Sequence, residues 1–229
     1  MSLKFLLLLL ISVDFTSATL DSGISVPLLS PSNQECLGEP RFDNHTANKA
    51  KLDLRDWQGP FSCHGRFCIY TNPRFARGHG LVMVTTRQTI EVVANFDPAA
   101  PWESNGEKAL PFVSRLIPGK GRGLVATQRI RRGQRIMLQP PSVIASFAAM
   151  DELSRADLED LLEEAVSYLP PSVQQRFYRQ MGRSGAGNAL DIIETNGFDI
   201  KIPGIRDEDG HHTGNWIDVS LFNHDCRPK

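Results

Sequence analysis

The hydrophobic pattern of this chain changes period along its length. Residues 5–13 are a continuous apolar run behind Lys4. Residues 81–86 and 89–94 are two β-rich runs on either side of Arg87-Gln88, which predicts a hairpin. Short apolar runs at 112–117, 124–126, 134–138 and 143–147 follow, punctuated by Gly and Pro. They predict a compact β fold in place of a parallel α/β sheet. The period then lengthens: Leu158, Leu161, Leu162, Ala165 and Leu169 keep a 3.6-residue stripe. A capping box with Asp in place of Glu, Ser154-Arg155-Ala156-Asp157, opens this helix, and Pro170-Pro171 closes it. Ser172-Val173-Gln174-Gln175 reads as a second cap, with Val173, Phe177 and Met181 four apart on one face. Residues 182–187 are a flexible break before a short third helix at 188–194. Near the end, Trp216, Ile217, Val219, Leu221 and Phe222 read as a strand running into the polar Asn223-His224-Asp225-Cys226-Arg227-Pro228.

This order predicts a mostly β, α+β fold with a helical insertion at 151–195. Residues 1–18 read as a leader and 19–35, rich in Ser, Pro, Asn and Asp, as a flexible N-terminus. Residues 36–95 read as a small cysteine-containing β module, 96–110 as a breaker-rich linker and 111–229 as a second domain. A hydrophobic content of 41% with 22% charged residues is that of an ordinary globular protein. The net charge of −1 gives no general attraction to nucleic acid or acidic lipid. Arg129, Arg131, Arg132 and Arg135 are the dense basic cluster, and around Gly133 they read as a solvated turn.

The leader changes the expected compartment. Its apolar run is too short to span ~30 Å of hydrocarbon, and Thr16-Ser17-Ala18 offers a small-x-small cleavage site. The chain is therefore expected in the secretory lumen or outside the cell, with no membrane attachment after cleavage. If the leader is not used, it stays intracellular. Asn44-His45-Thr46 is a glycosylation sequon that matters only on the secretory route. Cys63 and Cys68 are close enough to bridge a tight loop, while Cys36 paired with either stays open. Zinc is disfavoured, because no second closely spaced Cys/His pair completes a tetrahedral set. His64 and His79 are isolated loop histidines and read as surface residues.

Three motifs carry chemistry. Gly119-Lys120-Gly121-Arg122-Gly123-Leu124-Val125-Ala126-Thr127 places glycines where a backbone can approach a ligand closely. Thr195-Asn196-Gly197-Phe198 follows the third helix, and Asn223-His224-Asp225-Cys226-Arg227-Pro228 comes last. In this order they resemble the SET-domain family over residues 110 to 229. The family's members are mostly S-adenosylmethionine-dependent protein-lysine methyltransferases. The resemblance implies a cofactor site built from Lys120, Gly121, Arg122, Gly123, Asn196, Asn223 and His224. It also implies a protein lysine as substrate, without direct nucleic-acid binding. Cys226 matches a thiol that binds zinc only together with cysteines of a longer chain. Asp225 and Lys229 depart from the family's Ser and Asn.

The family's Gly-Glu-x-Ile strand, channel tyrosine and pseudoknot strand find no match after Pro228. Tyr168 and Tyr178, in the helical insertion, are poor substitutes. Methyl transfer depends on holding a neutral amine against the sulfonium methyl. A SET domain incomplete at its C-terminal end, inactive as this chain, is the resulting expectation, with no catalytic residue named. The competing expectation is a non-catalytic secreted binding protein on a degenerate SET scaffold.

Overall fold

A strand covered on both faces cannot alternate polar and apolar residues, and the run Leu-Val-Met-Val-Thr-Thr at 81–86 is such a strand. It forms β4 (Leu81–Thr86), inside a six-stranded sheet. The sheet order is β2 (Cys63–His64), β3 (Phe67–Asn72), β4, β8 (Val143–Ser146), β10 (His211–Asn215) and β9 (Gly197–Lys201). All neighbours are antiparallel except β4 and β8, which pair in parallel: Val82 opposite Val143, Met83 opposite Ile144, Val84 opposite Ala145. The cysteine-bearing strands are thus hydrogen-bonded into one sheet with strands that lie well over a hundred residues later.

The computed structural model of the chain describes residues 11–12, 56–95, 110–205 and 208–222. The rest of the expected leader, the flexible N-terminus, Cys36, the Asn44 sequon and most of the linker lie outside the described residues, as do Asn223, His224 and Cys226. The described residues belong to one compact unit. Two small ladders flank the main sheet. β1 (Ile11–Ser12) pairs with β7 (Leu138–Gln139), and β5 (Phe112–Ile117) pairs with β6 (Gly121–Ala126) in a hairpin. Cleavage after Ala18 would remove β1.

One face of the sheet, carrying Phe67, Ile69, Val82, Val84, Val143 and Ala145, forms the core with helices α4 (Arg155–Ser167) and α6 (Ala189–Asn196). The predicted stripe of α4 is buried at Leu158, Leu161, Leu162 and Ala165, and each buried leucine contributes about 1.5–3 kcal/mol. Ser154 caps it by accepting from the Asp157 N–H at 3.2 Å, and Asn188 caps α6 by accepting from the Asp191 N–H at 2.8 Å. The architecture is the expected α+β fold with a helical insertion.

Several local expectations are corrected. Residues 89–94 are not a second hairpin strand but part of helix α2 (Arg87–Asn95), packed against β3 and β4. Thr86 Oγ1 accepts from the Thr89 N–H at 3.3 Å at its start, and Thr89, Ile90, Val93 and Ala94 make the buried helical face. Ser172 does not cap the next helix. That helix, α5 (Pro171–Phe177), starts at a proline, whose missing N–H costs nothing in the first turn, with Pro170 before it. It stops at Phe177, so Met181 is 74% exposed. Of the expected 134–138 run only Leu138 is strand, in β7 (Leu138–Gln139). The run from Trp216 to Phe222 is not a strand either, because β10 ends at Asn215 and the chain turns into a 3-10 turn at Val219–Leu221.

Helix α1 (Phe75–Gly78) is a single turn whose Ala76 and Arg77 take left-handed backbone, and α3 (Phe147–Glu152) follows β8 directly. Among the described residues no helix is long and apolar enough to cross a membrane.

His212 on β10 is fully buried. Its Nε2 lies 2.8 Å from Thr85 Oγ1 and its Nδ1 3.3 Å from the Gly210 carbonyl. Burial lowers its pKa to about 4 from an ordinary 6.5. Between these values the unfolded chain binds a proton that the folded chain refuses, so stability falls as pH drops from 6.5 towards 4. The expected loss is about 3 kcal/mol, and stability is flat above that window. Urea unfolding at pH 7.5 and pH 4.5 checks this: His212→Gln, which cannot titrate, shows a clearly smaller fall than the parent.

Candidate functional site

The glycine motif forms the turn of the β5–β6 hairpin. The Lys120 N–H donates to the Ile117 carbonyl at 3.0 Å, and Gly119 and Gly121 take φ of +73° and +68°. Those left-handed values are why glycine stands there. A Cβ built at either glycine meets nothing within 4 Å, so the turn is open to a ligand. Lys120 and Arg122 are exposed, while Gly123 is buried opposite Arg115 in the ladder. The Thr127 N–H donates to the Pro111 carbonyl at 2.9 Å and closes the base of the hairpin.

That hairpin meets the C-terminal segment. β6 packs against the 3-10 turn Val219–Leu221, and the Phe112 and Phe222 rings meet edge-on with centroids 6.5 Å apart. The segment is fixed from the other side by Asp218. Its N–H donates to Gln139 Oε1 at 2.9 Å, Gln139 Nε2 donates to its Oδ2 at 2.8 Å, and Arg176 donates to its Oδ1. The Ser220 N–H and hydroxyl donate to the Trp216 and Ile217 carbonyls.

Asn196 arrives from the sheet. It ends α6, and the next residue, Gly197, pairs with Asn215, the residue before Trp216. Its Nδ2 is already committed to the Met181 and Ile192 carbonyls, at 2.8 and 2.9 Å. Its Oδ1 has no partner among the described residues. Asp191 orders the preceding loop: the Ser184 N–H donates to it at 2.9 Å, and this bond holds its carboxyl below the usual carboxylate range. Asn215 is buried and exchanges amide hydrogen bonds with Gln180 at 3.1 and 3.2 Å.

Trp216 connects these parts. Its indole is fully buried, it meets the Phe198 ring edge-on at 6.0 Å, and its Nε1 has no hydrogen-bond partner among the described residues. It folds over Gly214, where a Cβ would lie 2.4 Å from the ring. A glycine inside a strand marks such a close approach, and this was the available sequence signal for Gly214. Gln139 and Arg176 carried no sequence signal, because their role arises only from contact with Asp218.

The structure packs the β6 arm of the hairpin against the 3-10 turn Val219–Leu221, with Phe222 meeting Phe112 at the hairpin's base, and the 119–121 turn lies at the other end of the two strands. An open glycine turn and an unengaged amide oxygen fit a small ligand carrying hydrogen-bond donors and acceptors. Cys63 and Cys68 face each other across β2 and β3 and are disulfide-bonded, while Cys36, the other candidate, lies outside the described residues. His64 lies 3.4 Å from Asp157, and His79 Nε2 lies 2.9 Å from Ser142 Oγ. Burial, with Arg176 adding to it, holds His79 below its ordinary pKa. Among the described residues no group of three or more His, Cys, Asp or Glu is placed to hold a metal ion.

The SET domain family model matches residues 121–229. No curated protein and no solved structure matches the chain.

Gly214→Ala is expected to force the Trp216 indole out of its seat and to cost about 1–3 kcal/mol, as overpacked positions do. Denaturation followed by tryptophan fluorescence checks it. An unchanged midpoint and emission maximum would show that the close approach carries no weight.

Proposed function

The chain belongs to the SET-domain family through residues 121–229, and from that premise we propose that it is built to bind S-adenosylmethionine in the service of protein-lysine N-methylation. SET domains generally bind this cofactor and typically act on protein substrates. The observation that supports the reading is the packing of the glycine hairpin against residues 219–222, the segment that precedes the last of the three sequence motifs. When bound, S-adenosylmethionine supplies a methyl group activated on a sulfonium.

In this reading the backbone of Lys120 to Gly123 holds the amino-acid end of the cofactor, where glycines permit close approach. Asn196 offers its Oδ1 as an acceptor while its amide nitrogen stays bound to the Met181 and Ile192 carbonyls. Asn223 and His224 would contact the cofactor's amino and adenine groups, as the family resemblance implies. Phe112 and Phe222 place apolar surface at the base of the hairpin. We further propose that the chain follows the secretory route, with the leader removed after Ala18 and a glycan on Asn44. The Cys63–Cys68 bond accords with an oxidising compartment.

Two measurements test these proposals. Calorimetric titration of the folded chain with S-adenosylmethionine is expected to give saturable binding. Asn223→Ala should weaken it about tenfold or more, the usual cost of losing a hydrogen bond to a charged group. A folded chain that does not bind at high micromolar cofactor favours the non-catalytic scaffold. Edman sequencing of the exported protein should begin at Thr19, and a start at Met1 rejects the secretory assignment.

A further inference from the structure

The net charge of −1 conceals a strong separation of charge. Residues 110–150 contain seven cations and no Asp or Glu. The chain has 25 cations and 26 acids in all, so everything outside this stretch carries an excess of eight acids. Arg115, Lys120 and Arg122 lie on the hairpin, and Arg129, Arg131, Arg132 and Arg135 on the loop that follows it. All seven are exposed, and none makes an ion pair among the described residues. Elsewhere Arg66, Arg74, Arg87, Arg155 and Arg176 each have a carboxylate partner.

We propose that this lobe is a docking surface for a linear anionic polysaccharide. Four observations lead there. First, the loop is held in place: the Gln134 N–H donates to the Arg131 carbonyl and the Arg131 N–H to Gln134 Oε1, both at 3.0 Å. Its arginines are therefore presented from an ordered turn. Second, the cations run from the hairpin's turn to the loop at its base, a span of about 20 Å for six-residue strands. A single sulfate or phosphate needs donors that converge, whereas a strip of this length suits a chain with repeating charge. Third, six of the seven are arginines, whose planar fork matches sulfate and carboxylate oxygens in pairs.

Fourth, the occupant must lack bases that need stacking. Phe112 is the sole aromatic residue of 110–137, and it is packed against Phe222. Binding of single-stranded nucleic acid relies on such platforms. The Cys63–Cys68 disulfide points to an oxidising compartment, where charged polysaccharides are available as partners. The inference does not rest on cofactor binding, and its test leaves Lys120 and Arg122 untouched.

The test titrates the full chain with a fluorescent heparin oligosaccharide. Affinity is expected to fall roughly 10²-fold between 50 and 200 mM salt if four cations are neutralised. The variant Arg129→Gln/Arg131→Gln/Arg132→Gln/Arg135→Gln should bind at least about tenfold more weakly, with an unchanged circular dichroism spectrum and a shallower salt slope. A control with the same charge change, Arg77→Gln/Arg179→Gln/Arg183→Gln/Lys201→Gln, should stay within about twofold of the parent. If the fourfold loop variant does not fold, Arg129→Gln/Arg132→Gln takes its place, with an expected loss of about half the salt slope. Equal weakening in the loop and control variants overturns the site in favour of net charge alone. Tighter binding of a random-sequence DNA duplex of matched length overturns the polysaccharide assignment, and absence of salt-sensitive heparin binding overturns both.

Discussion

The parallel pairing of β4 with β8 is the constraint on which the rest depends. Three residue pairs, Val82–Val143, Met83–Ile144 and Val84–Ala145, join strands that are some sixty residues apart in the chain. Ser142 reinforces the junction at its entrance: its carbonyl accepts from the Val82 N–H, its N–H donates to the Asn215 carbonyl, and its hydroxyl meets His79. One buried serine thus ties β4, β10 and the turn before β4 to the start of β8. Without that junction the core face splits between β3 and β4, which α4 covers, and β9 and β10, which α6 contacts.

Much of this was legible locally. The strand at 112–117 matches its predicted limits, since Phe112–Ile117 is a hairpin arm defined by its own turn. Ser154 and Asn188 mark helix starts because a cap acts within three residues. The failures involve choices made by distant partners. Residues 89–94 carry enough β-branched side chains to resemble a strand, yet Thr89, Ile90, Val93 and Ala94 also fit one helical face. The surface of β3 and β4 selects the helix. The parallel register of β4 on β8 left no mark in either strand beyond unbroken hydrophobicity.

The candidate site shows the same division. Its glycines and Asn196 could be named from motif order, because a tight turn and a polar residue after a helix are local features. What holds them could not. Asp218 is locked by Gln139 from one segment and Arg176 from another, and the seat of Trp216 exists because Gly214 has no side chain. The basic lobe was hidden for a related reason: averaging charge over the whole chain cancels a stretch without acids against acidic helices elsewhere.

The far end of the sheet carries one more consequence. β2 is only two residues long, its Cys63 is bonded to Cys68, and Arg66 between them reaches across to Glu152 and Asp209. An edge so short and so pinned offers a neighbouring molecule almost no row of free backbone groups to copy. The sheet is therefore polar in its growth as well as its order: closed where the cysteines lie, it has a five-residue strand, β9, at its opposite border. Among the described residues, the border long enough for strand addition is therefore β9, which begins directly after Asn196.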